Sequence, residues 1–223
     1  MSITQNLNQI KNTIPKHVTL VAVSKTKPIE ALQEAYDTGQ RIFGENKIQE
    51  MTQKWEVLPK DIEWHMIGNL QRNKVKYMAE YVSLIHGVDS FKLLQEINKQ
   101  ALKHNRTINC LLQIKIAQED TKAGMTTEGA KAILQSEELS NLKNIKITGL
   151  MGMASFSENQ EQVTTEFNYL STSFDELKEL KTNNCELNTI SMGMSGDYKL
   201  AINCGSTMVR VGSSIFGVRN YNI

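Results

Sequence analysis

The chain has 223 residues, 40% hydrophobic and 22% charged, with a formal net charge of +1, a size close to the roughly 250 residues usual for one (β/α) barrel. Lys and Arg alternate with Asp and Glu along the chain, which excludes a nucleic-acid footprint, and apolar runs such as Cys110-Leu111-Leu112 are too short to span a membrane. The start lacks a basic stretch followed by an apolar block, and Cys110, Cys185 and Cys204 show no C-x-x-C spacing, which argues against a signal peptide, a disulfide framework and a thiolate zinc site and points to a reducing cytoplasm.

In chain order, the N-terminal segment reads as an amphipathic surface helix whose Leu7 and Ile10 pack on the outside of the barrel. Strands are expected at 18–23, 41–43, 63–66, 84–86, 109–116, 146–151, 189–192 and 208–212, with amphipathic segments between them. Pro28 suits the first turn of a helix over 29–38, and Gly39 stops it. Over 90–104, Phe91, Leu94, Ile97, Ala101 and Leu102 repeat at helical spacing, with Asp89-Ser90 placed to cap the start. The basic run 72–76 reads as a solvated helix face, and 155–162 as a polar mobile loop. Alternating strands and helices predict a parallel sheet, and eight strands close a barrel. The expectation is α/β: a single (β/α)8 TIM-like barrel, one domain over residues 1–223, with chemistry on the loops that follow the strands.

The first strand ends at Ser24 and Lys25. A desolvated lysine holds its amine neutral, and the neutral amine attacks aldehydes; the alternative is a lysine that reaches out to solvent. Residues 191–197 (SMGMSGD) and 205–213 (GSTMVRVGS) fall at the last two strands, where barrels hold phosphates with close backbone approach, hydroxyl donors and a helix N-terminus. Such clusters are also ordinary turn chemistry. A lysine combined with a phosphate cradle suggests pyridoxal 5′-phosphate (PLP).

Five segments then carry a family resemblance: 21–28 (VAVSKTKP), 43–46 (FGEN), 64–74 (WHMIGNLQRNK), 191–195 (SMGMS) and 205–212 (GSTMVRVG). Spread over nearly the whole chain, they resemble the pyridoxal phosphate homeostasis proteins of the YggS/PROSC type, related to the N-terminal barrel of alanine racemase. The resemblance implies a PLP fold type III barrel without a second β-domain, a covalent PLP aldimine on Lys25, a phosphate held by Ser195, Gly212 and Ser213, and Arg210 facing the pyridine nitrogen. Ser206 and Thr207 are further phosphate candidates. Asn46 and His65 are candidates for the ring pocket, although Asn46 also reads with Glu45 as a helix start and His65 as a hydrogen-bonded core histidine. Tyr198-Lys199-Leu200 and Cys204 depart from the expected pattern and bear on helix details alone.

Lys27 and Lys122 lie near strand exits, as surface lysines or as transient PLP acceptors. His17, His86 and His104 sit on separate elements without carboxylates at ligand spacing, so no metal site is expected. PLP catalysis works best when a carboxylate keeps the pyridine nitrogen protonated, whereas an arginine can only donate. With no second domain expected to supply an opposing base, the reading is a non-catalytic, monomeric protein. It stores PLP or delivers it to apo-enzymes and so serves intracellular vitamin B6 homeostasis. A small amino-acid racemase using Lys25 with His65 or a loop tyrosine is the rival, and a cofactor-free interaction barrel the third reading.

Overall fold

The computed structural model describes residues 2–119 and 123–218. Eight parallel strands close into a barrel in sequence order: β1 (Thr19–Val23), β2 (Ile42–Glu45), β3 (Glu63–Met66), β4 (Val82–Val88), β5 (Ile108–Gln113), β6 (Ile145–Met151), β7 (Cys185–Met194) and β8 (Met208–Val211). The ring is closed by β1 against β8, with Val21 opposite Arg210 and Ala22 opposite Val211. The helices are α1 (Ile3–Thr13), α2 (Ile29–Asp37), α3 (Ile48–Val57), α4 (Phe91–Lys103), α5 (Thr127–Gln135), α6 (Gln160–Leu177), α7 (Tyr198–Asn203) and α8 (Ser213–Phe216). No helix of the described residues is long and apolar enough to cross a membrane.

The alternation of side chains along each strand sorts the core into two parts. Outward residues such as Ala22, Trp64, Met66, Leu112, Val209 and Val211 pack beneath the helices in the larger apolar cluster. Inward residues Val21, Leu84, Leu111, Met151 and Met208 form a separate apolar plug within the barrel. Two residues further along the same strands, the inward positions turn polar and stay buried: His86 after Leu84, Gln113 after Leu111 and Arg210 after Met208. A polar layer therefore separates the apolar plug from the cavity at the strand ends, in the layered manner of such barrels.

Several expected boundaries move. β7 begins at Cys185 because Glu186 and Asn188 alternate outward with buried Cys185 and Leu187, a strand that starts half solvated and lacks an apolar run. β5 stops at Gln113, since the N–H of Lys115 is drawn aside to the carbonyl of Met125. Ser90 stands at the N-cap of α4 but bonds no helix N–H; its hydroxyl donates to Asp89. Pro28 is the N-cap of α2, and beyond the end of that helix the Gly39 N–H closes back on the carbonyl of Tyr36. α1 carries a full capping box between Ser2 and Gln5, and its Asn6 donates to the carbonyl of Ile215, tying the helix to α8. The basic run forms a 3-10 helix over Arg72–Tyr77 with only Val75 buried. The polar loop is shorter than expected. Both the N–H and the hydroxyl of Ser155 bond Glu166, and Asn159 already caps α6.

Candidate cofactor site

A cavity of about 470 Å³ opens at the carboxyl ends of the strands, within the range of small-molecule sites. Its wall includes Lys25, Asn46, Ser195, Arg210, Gly212 and Ser213, so residues far apart in the sequence meet here because each lies within two residues of the carboxyl end of a barrel strand.

Lys25 enters from the exit of β1. Its neighbour Ser24 is fully buried, and Thr26 adopts a φ of 65°, a left-handed conformation rare for a β-branched residue. Opposite, the end of β8 approaches β1 so closely that a Cβ on Gly212 would lie 2.9 Å from the Val23 carbonyl oxygen. Only glycine lets the two strands sit at this spacing. The Gly212 N–H donates to the Ser195 hydroxyl at 3.1 Å, which draws the end of β7 to the same corner. The hydroxyls of Ser195 and Ser213 are thus gathered beside the lysine strand, the Gly212 N–H holding Ser195 in place. α8 spans four residues, so this corner offers individual donors in place of a long-helix dipole. The set suits a phosphate, whose oxygens only accept at full ionisation, and the adjacent lysine suits an aldehyde.

Arg210 forms another part of the wall from within the polar layer. Its guanidinium donates to the Ser191 hydroxyl at 2.6 Å, the Ser191 carbonyl at 2.8 Å and the Gly152 carbonyl at 3.0 Å. The Ser191 hydroxyl lies 3.0 Å from His86 Nδ1, and His86 Nε2 lies 3.0 Å from His65 Nδ1. Arginine only donates, so the Ser191 hydroxyl accepts from it, and the contacts from Ser191 through His86 to His65 continue the chain with directions set by the histidine tautomers. A hydrogen-bonded chain thus runs from the cavity wall into the core. Burial lowers both imidazoles, His65 to about 3 and His86 well below its usual value, the latter also through His65 and the Arg210 charge. Burial brings Arg210 down to about 10, opposed by Asp197, which leaves the guanidinium charged at neutral pH.

Not every expected residue reaches the cavity. His65 is 3% exposed, lies beneath the cavity wall and serves the chain just described. The Ser206 hydroxyl donates to the carbonyl of Met192, and the Thr207 hydroxyl accepts the Ile190 N–H. Both precede β8, at the strand end away from the cavity, so their hydroxyls close the β7–β8 corner. Asn46 lines the wall where the segment after β3 packs against it at Gly68: a Cβ on Gly68 would fall 2.7 Å from the Asn46 carbonyl oxygen. Lys27 also lines the cavity, but its amine donates to the carbonyls of Gly217 and Val218. Lys122 lies outside the described residues.

Sequence reasoning missed three contributors. Glu45, read as a helix start, ends β2 fully buried and paired with Lys54 of α3 at 2.7 Å. Ser191 holds Arg210, and His86 contacts Ser191 from the core side. A buried strand-to-helix ion pair leaves no periodicity to find, whereas serine and histidine at inward positions of two strands carry a weak signal once the strand phase is known.

Residues 1–220 match the family model described as alanine racemase, N-terminal domain. The pyridoxal phosphate homeostasis protein of Aquifex aeolicus (strain VF5) is 41% identical over 203 residues, covering 91% of this chain and 87% of that protein. Its counterpart from Haemophilus influenzae is 37% identical over 235 residues, covering 100% of this chain and 98% of its own. Among solved structures, PipY of Synechococcus elongatus PCC7942 without PLP aligns at a TM-score of 0.90 and 36% identity, over 97% of this chain and 100% of that one. The same protein with PLP bound aligns at 0.87 and 35% identity with the same coverage.

Proposed function

Because the chain belongs to the pyridoxal phosphate homeostasis proteins built on the alanine racemase N-terminal domain, we propose that it holds PLP as a Schiff base on Lys25 and stores or delivers it. The observation that carries this reading is the approach of β8 to β1 at Gly212, which sets Lys25 beside the Ser195–Gly212–Ser213 corner. In the reading, that corner takes the phosphate, Asn46 flanks the ring and Arg210 faces the pyridine nitrogen. Lys25 would supply the amine that condenses with the aldehyde of PLP, a C=N bond forming as water leaves. The PLP-bound structure of a relative supports the choice of ligand.

Arg210 bears on the choice between carrier and enzyme, although alanine racemase tolerates an arginine in this place. When bound, PLP supplies an electron sink whose strength depends on protonation of its ring nitrogen. The Arg210 fork is fixed by two carbonyls and a hydroxyl, and it can only donate, so it offers that nitrogen no proton acceptor partner. His65, which with a loop tyrosine is one of the two bases the rival racemase reading allows, is buried and its imidazole is pushed well below its usual range by that burial. The same reading treats residues 1–223 as one domain, monomeric in a reducing cytoplasm where its cysteines stay free, with PLP-requiring apo-enzymes as recipients. Cys110, Cys185 and Cys204 form no disulfide.

Two measurements test it. Titration with PLP is expected to give an imine absorbance band in the wild type and none in Lys25→Ala; a band of equal strength in both contradicts the assignment. Incubation with L- and D-amino acids in deuterated water is expected to give α-proton exchange no faster than free PLP. Faster exchange that disappears with Lys25→Ala would establish an enzyme.

A further inference from the structure

We propose that Glu45, Lys54 and Glu50 are positioning residues that aim Lys25 into the cavity by gripping its two neighbours, an inference that rests on the Lys25 reading above. The buried Ser24 hydroxyl donates to Glu45 Oε1 at 2.7 Å. On the same residue, the Ser24 carbonyl accepts from the Lys54 amine at 2.8 Å. On the other side of Lys25, the Thr26 N–H donates to Glu50 Oε1 at 2.6 Å. Lys54 joins the two grips, donating to Glu45 and Glu50 at 2.7 Å each. Its three ammonium protons therefore meet three acceptors, one of them the backbone of Ser24.

The arrangement is costly for stability alone. Glu45 is fully buried and Lys54 is 4% exposed, and Glu45 Oε2 has no hydrogen-bond partner among the described residues. Apolar residues of similar volume often replace such buried ion pairs without loss of stability. What they cannot supply is directional hold on a backbone. Thr26 has a φ of 65°, a conformation that threonine avoids without outside support, and its N–H is held by Glu50. With residues 24 and 26 both fixed from β2 and α3, the Cα–Cβ direction of Lys25 is fixed as well. The trio acts through the backbone of Ser24 and Thr26, so its contribution is geometric.

The test uses the full chain and the rate at which the imine band grows on mixing with PLP, as the amine adds to the aldehyde and water leaves. Glu50→Ala and Lys54→Met are expected to slow it by roughly tenfold or more, since displacements of about 1 Å at a reacting group can cost 10²-fold. Glu50→Gln keeps an oxygen acceptor for the Thr26 N–H and is expected to recover most of the rate. Thermal unfolding is recorded in parallel. Should Lys54→Met fail to fold, Glu50→Ala carries the test, because the Glu50 side chain is 22% exposed at the edge of the cluster. Wild-type rates in the folded variants, with melting temperature alone lowered, would overturn the inference and leave the Lys25 reading standing. So would a Glu50→Gln protein as slow as Glu50→Ala. Absence of the band in the wild type would overturn the Lys25 reading and this inference with it.

Discussion

Arg210 donates to both the hydroxyl and the carbonyl of Ser191, at 2.6 and 2.8 Å, and the same hydroxyl lies 3.0 Å from His86. One small side chain thus orients the guanidinium in the cavity wall and links it to the histidine pair below. Ser191→Ala removes the acceptor and leaves a buried donor and a buried imidazole nitrogen without this partner. The expected cost is about 1–3 kcal/mol of stability, measured by denaturant unfolding, together with weaker PLP binding measured by absorbance titration. Unchanged stability and affinity would show that the chain does not orient Arg210.

Gly212→Ala tests the close contact of β8 with β1. The added methyl would sit 2.9 Å from the Val23 carbonyl oxygen, and the backbone would have to move. A destabilisation of about 1–3 kcal/mol is expected from overpacking, and with it a larger proportional loss of PLP affinity than in variants remote from the cavity. A variant that binds PLP as tightly as the wild type would show that the spacing has no bearing on the site.

Acid should destabilise the protein through its buried histidines. The folded-state value of His65 is lowered from 6.5 to about 3 by burial. Its contribution is therefore present above pH 6.5 and is lost progressively as pH falls toward 3, up to about 5 kcal/mol by proton linkage. His86 is lowered in the same direction. Glu45 opposes them. Burial raises it from 4.5 to about 6, so its contribution is fully present below pH 4.5 and is lost as pH rises through 6, worth about 2 kcal/mol. Unfolding midpoints are expected to fall below pH 6.5, and Glu45→Gln to steepen the fall between 6 and 4.5. Stability independent of pH from 6.5 to 4 would contradict the neutral histidine pair.

Lys27→Ala distinguishes the two lysines that share the cavity wall. The Lys27 amine is engaged with the carbonyls of Gly217 and Val218, so its loss is expected to leave the imine band intact. The cost is about 0.5–1.5 kcal/mol, typical of hydrogen bonds of this kind, measured by thermal or denaturant unfolding. Loss of the band on this substitution would move the attachment site from Lys25.

The barrel was legible in the sequence because its strands are β-branched or apolar runs separated by amphipathic helices. All eight strands fall where expected, with β3 matching at both ends. Errors fall where the signal was local. The half-solvated start of β7 lacks an apolar run, and Ser90 bonds Asp89 in preference to the helix it precedes. Within the site, Lys25, Asn46, Ser195, Arg210, Gly212 and Ser213 were read from motifs, and the structure brings them to one cavity. Ser206 and Thr207 stand in the same motif as Arg210, but motif membership does not say which end of a strand a residue occupies. Strand direction does, and it places them at the far end of β8. The pairing of Glu45 with Lys54 and the chain from Arg210 to His65 depend on residues brought together by barrel closure, which no local pattern encodes.

The most direct test of the central claim is to mix the protein with PLP, reduce with borohydride, digest it and map the modified lysine by mass spectrometry. Reduction converts the C=N bond to a stable amine, so the site of attachment is read covalently. The account predicts one dominant pyridoxyl modification on Lys25, absent when excess borohydride-reduced PLP replaces the aldehyde. Modification centred on another lysine such as Lys27, or spread evenly over surface lysines, would contradict it.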